Sequence, residues 1–127
     1  MPLQENLSLS TLDLTDVLEI AANDRGFLNE LLSLYVQQFS ELVPEITTHL
    51  KAHDILALRR ILHKIKPSLI LLRQTALHQQ AQKIHDMLHE QAVSPEELRD
   101  EFRPLTVGFT QLLKLLESAF EEHAKTA

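Results

Sequence analysis

The stretch "FLNELLSLYVQQFSELVPEITTHL", residues 27–50, decides the fold. Its large apolar side chains recur at Leu28, Leu32, Tyr35, Phe39, Leu42, Ile46 and Leu50, always three or four residues apart. A helix turns once in about 3.6 residues, so the series draws a stripe along one side of a long helix. Pro44 falls inside the series without interrupting it, and is read as a kink rather than an end. Asn23 or Asp24, just before the stretch, supplies the N-cap.

The same spacing recurs on both sides. A short helix is expected over residues 12–22, with Leu14, Val17, Leu18 and Ala21 on one face. A helix capped by Asp54 carries Leu58, Ile61, Leu62, Ile65, Leu69 and Leu72. The next, from Thr75 to Glu90, carries Leu77, Ala81, Ile84 and Leu88. "VSPEE" then signals a start, with Ser94 as cap, Pro95 at the first helical position and Glu97 completing a capping box. The last helix carries Leu98, Phe102, Leu105, Phe109, Leu112, Leu116 and Phe120, and passes through Pro104. No segment alternates with a strand period. Long amphipathic helices with short connections predict an all-α protein, an antiparallel four-helix bundle with an additional short N-terminal helix. The 127 residues fit one domain, with its core over about 24–118 and loose tails at 1–10 and 122–127.

Composition narrows the function. The absence of cysteine excludes disulfides, thiol catalysis and cysteine-based zinc sites, and agrees with a cytoplasmic protein. No apolar run approaches the roughly 20 residues that span a bilayer, and no signal peptide is read at the N-terminus. A net charge of -6 argues against nucleic-acid binding. The charge is unevenly spread. Residues 51–90 hold seven Lys or Arg against three acids, a balance of +4, which leaves -10 elsewhere. A basic island in an acidic chain points to a local anionic target.

"HKIKPS", residues 63–68, lies in that island. On a wheel of about 100° per residue, His63 points away from the apolar stripe of its helix, and Leu56, Arg59, Arg60, Lys66, Pro67 and Ile70 lie within about 60° of it. A histidine ringed by cations and flanked by Leu56 and Ile70 is laid out as a docking surface, with apolar contact for affinity and charge for steering. An imidazole near neutral pH is partly unprotonated and nucleophilic. It can take a phosphoryl group on a ring nitrogen, and Lys66, three residues on, can stabilise the added charge. No carboxylate lies on this stripe to act as base or to hold magnesium.

"LRRILHKIKPSLILL", residues 58–72, resembles the core motif of histidine-containing phosphotransfer (HPt) domains: a histidine, a lysine three residues on, a small residue, then often serine. His63, Lys66 and Ser68 match it in order and spacing, and the two helices before the histidine are similar to the family's helix pair. The resemblance covers residues 24–118. Three positions depart from it. Pro67 stands for the usual glycine, "LRQ" at residues 72–74 for a frequent Leu-Gly-Ala, and His85, with Gln82 one turn before it, for a glutamine on the next helix that often touches the histidine. Pro67 also lacks the amide that would bond the His63 carbonyl.

The resemblance implies a phosphorelay module of a two-component signalling system. His63 would take a phosphoryl group from a receiver-domain aspartate and pass it to another receiver. Lys66 would stabilise the phosphohistidine, and Ser68, Pro67, His85 and Gln82 would support it. Leu56, Arg59, Arg60 and Ile70 would dock the partner. The chain would be a monomeric phosphoryl carrier rather than a self-sufficient enzyme, binding no cofactor, with Mg2+ on the receiver. Its partners would be receiver domains of response regulators or of a hybrid histidine kinase, with no nucleic acid or membrane. Two other readings compete. One is a metal-binding bundle, since His49 and His53, and His85 and His89, are spaced i, i+4, with His78 seven residues before His85. The other is an HPt-like adaptor with His63 idle.

Overall fold

The computed structural model describes residues 12–89 and 93–126. Five helices follow one another: α1 (Thr15–Ala21), α2 (Arg25–Ala52), α3 (Ile55–Leu71), α4 (Thr75–His89) and α5 (Pro95–Thr126). The starts of α2, α3 and α5 are fixed locally. Asp24 Oδ1 accepts the Phe27 amide at 3.0 Å, Asp54 Oδ1 the Ala57 amide at 3.1 Å, and Ser94 Oγ the Glu97 amide at 3.1 Å. Each bond satisfies a donor that the first turn leaves without a helical partner.

Side-chain pairs set the helix directions. Arg59 meets His89 and Lys66 meets Gln82, so α3 and α4 run antiparallel. Ser68 meets Gln38 across the tight turn after α2, and Gln80 meets Glu101 near the start of α5, so those neighbours are antiparallel too. The result is an up-down-up-down bundle, with α2 packed most extensively on α5 and α3 on α4. The edge-on pair Phe39–Phe109, with ring centroids 5.7 Å apart, lies between α2 and α5. Leu58, Leu62, Ile65, Leu69 and Leu72 of the third stripe are buried in the one core that all five helices share.

Several expectations are refined. Tyr35, Leu50, Ile61 and Phe120 keep the register of their stripes but are only half-buried. Ile61 and Tyr35 line an open groove between α2 and α3, about 400 Å³ in volume, which no further helix among the described residues lines. α1 is shorter than predicted, and Leu18 is exposed while Val17 and Ala21 are buried. The C-terminal tail expected to be loose from 122 is instead helical to Thr126, since Phe120 still packs on the core and good helix formers follow it. The tail expected over 1–10 lies outside the described residues.

α2, α3 and α5 run through Pro44, Pro67 and Pro104 without ending. All three prolines are exposed, and so are Ser40, His63 and Asp100, four residues earlier. Each carbonyl deprived of its helical donor therefore belongs to a solvent-facing residue, where water can satisfy it.

Candidate functional site

His63 is exposed midway along α3, opposite the buried stripe. It lines a shallow depression of about 450 Å³ with Leu56, Arg59 and Arg60 of α3 and His85 and His89 of α4. Leu56 and Ile70 are 53% and 58% exposed, so both remain open to a partner. Arg60 and Pro67 are exposed beside them.

Lys66 is half-buried and held. Its Nζ donates to Gln82 Oε1 at 2.9 Å and approaches His85 Nδ1 at 3.5 Å. Gln82 is oriented in turn by donating through Nε2 to Asp86 Oδ1 at 2.9 Å. An ammonium has no lone pair, so in this arrangement His85 Nδ1 is the acceptor and the ring's single proton sits on Nε2. The same logic applies next door, where Arg59 donates to His89 Nε2 at 3.3 Å. The rings of His85 and His89 meet edge-on with centroids 4.9 Å apart, and the His85 centroid lies 6.4 Å from that of His63. Burial pushes the His85 pKa down, and the nearby Lys66, His89 and Arg59 push it further, opposed only by Asp86. These influences together disfavour the charged form of His85 next to His63.

The structure distributes the predicted residues unequally. His63, Lys66, Gln82 and His85 come together, and Arg59 joins them. Arg59 is less a free steering charge than expected: it is half-buried, tied to His89, and its Nε is buried without a partner. Ser68 turns away toward α2, where its hydroxyl donates to Gln38 Oε1 at 2.9 Å and is committed to helix packing. His89 was legible only as a metal ligand, and its place here comes from the close packing of α3 on α4. Gln38 left no signal in the sequence.

The metal-binding arrangement is not assembled. α2 ends at Ala52 and His53 takes a left-handed conformation, φ 50°, so His49 and His53 do not share a helical face. His78 lies two turns, about 10 Å, from His85 along α4, too far to share an ion. Among the described residues no three His, Cys, Asp or Glu side chains gather as a metal site. No helix among them is long and apolar enough to cross a membrane.

The site is thus an exposed histidine on an antiparallel helical bundle, with a lysine one turn on held by Gln82 and His85. Residues 30–123 match the model of the Hpt domain family, and the chain belongs to that family. No curated protein and no solved structure matches it. Hpt domains serve histidine phosphotransfer in phosphorelays and interact with receiver domains.

Proposed function

We propose that this chain is a phosphoryl carrier that accepts a phosphoryl group on His63 from the phosphoaspartate of a receiver domain and returns it to another receiver. In the forward step the lone pair of His63 Nε2 forms the N–P bond. The P–O bond to the aspartate breaks, and its electron pair stays on the carboxylate. The observation that carries this reading is the juxtaposition of exposed His63 with Lys66, whose ammonium is held in place by Gln82 rather than left to sweep solvent. A charged donor fixed beforehand loses little entropy when the phosphoryl group arrives.

The receiver docks on the stripe that contains Leu56 and Ile70, with Arg59 and Arg60 attracting its acidic pocket. It brings the Mg2+ and the groups that catalyse transfer, because the exposed stripe of α3 around His63 carries no carboxylate. The chain works as a monomer in the cytoplasm, a placement that its cysteine-free composition supports.

The test is incubation with phosphorylated receiver domains and Mg2+, beside His63→Gln. Acid-labile, base-stable label is expected on the native chain and none on the variant. Label that persists on the variant moves the site elsewhere, and a native chain that no receiver labels is an adaptor.

A further inference from the structure

The depression holds a second imidazole that the transfer chemistry does not use. His85 lies beside the acceptor and shares Lys66 with Gln82. Its Nδ1 can accept from Lys66 only while that nitrogen is unprotonated. Lys66 is therefore parked on a neighbour that can release it by taking up a proton. Among the described residues, the charged groups that bear on His85 are, with one exception, cationic or become so on protonation: Lys66, Arg59 and His63 from α3, and His89 from its own helix. The exception is Asp86, already bonded to Gln82. On α5, Glu101 is engaged by Gln80 and Lys83.

A phosphoryl group on His63 would reverse this balance by placing concentrated negative charge among these donors. We propose that His85 is a second ligand of the phosphoryl group: when His63 is phosphorylated, His85 Nδ1 binds one proton from solvent, Lys66 is released from it, and both side chains close on the phosphoryl oxygens. No bond to phosphorus changes at His85, and the only co-reactant is a proton. The inference rests on the carrier reading of His63 and adds regulation to it. The phosphorylated chain holds more protons than the free chain, so falling pH shifts the transfer equilibrium toward the carrier. The edge contact with His89, itself tied to Arg59, keeps the His85 ring on the His63 side of α4.

Phosphoramidate, a small-molecule phosphoryl donor, tests this without any receiver. Phosphoryl passes from it to His63 and ammonia leaves. The imidazole C–H resonances of His85, assigned with His85→Gln, are then titrated by NMR in the free and phosphorylated chains. The His85 midpoint is expected to rise by about one to three pH units on phosphorylation. An unchanged midpoint overturns the proposal. So does a failure of phosphoramidate to label His63, because a site that cannot hold the group needs no second ligand. If phosphoramidate labels His63 but no receiver does, the carrier reading fails instead, and the titration still decides for or against the ligand role of His85.

Discussion

α3 carries cations in two places and treats them in opposite ways. Just past its C-terminal end, Arg73 is neutralised twice: it lies 3.1 Å from Asp16 and 3.3 Å from Asp13, which fastens α1 to the α3–α4 turn. Around His63, the ion pairs among the described residues include none of Arg59, Arg60 or Lys66. Lys66 and Arg59 meet neutral partners, an amide and imidazole rings. Among the described residues, two carboxylates pair with Arg73 and none pairs with Arg59, Arg60 or Lys66. Paired charge holds a structure together and presents little field to a visitor. Charge solvated by neutral donors and acceptors keeps its potential for an incoming anion, at the cost of mutual repulsion.

That contrast can be broken at three points. The largest effect is expected from Lys66→Met, which removes the held ammonium. A charge-assisted hydrogen bond of about 1.5–3 kcal/mol corresponds to roughly a 10- to 100-fold slower single-turnover transfer to His63. An undiminished rate would make Lys66 a bystander. Next comes Arg59→Glu with Arg60→Glu, expected to slow association with a receiver about tenfold at low salt. The deficit should shrink as salt screens it. A deficit that ignores salt would mean that Arg59 acts through its contact with His89 and not through its field.

The smallest effect is expected where charge is already paired. Asp13→Asn with Asp16→Asn should leave transfer unchanged and lower Tm by no more than roughly 1–4 °C, as exposed pairs do. The pH dependence has a defined sign. The Thr15 hydroxyl and amide, and then Arg73, hold the Asp13 carboxyl below its ordinary value. Its contribution is complete above the ordinary aspartate pKa and is lost as pH falls through the lowered one. Acid should therefore free α1 before it unfolds the bundle, and NMR shifts of Thr15 and Arg73 would report the order.

The bundle was legible because periodicity and caps are local. Asp24, Asp54 and Ser94 sit where their chemistry places them, and His63 points where a wheel says it must. Periodicity reports which way a side chain faces, not whether a neighbour waits there, so Tyr35 and Ile61 were expected deeper than they lie. The site was legible along α3 and only partly across to α4. Lys66 followed from spacing to His63, but its hold on Gln82 and His85 depends on how two helices mesh. Arg73 was the least legible. Read beside the family pattern it stands where glycine is frequent, and the backbone there takes φ 55°, the left-handed region that glycine enters most easily. The arginine side chain meets that strain with two carboxylates from the far end of the chain, a gain that no local rule registers.

The separation in sequence between residues that touch also bears on how the chain comes together. The links that build the site span only 16 to 30 residues, within a single helical hairpin. The bundle's most extensive interface joins α2 to α5, near opposite ends of the chain. Closing a short loop costs less entropy than closing a long one, so α3 and α4 can meet before α5 returns to seal the core. The surroundings of His63 are thus built from contacts local in sequence, whereas the long final helix must return across a much longer stretch of chain to meet α2.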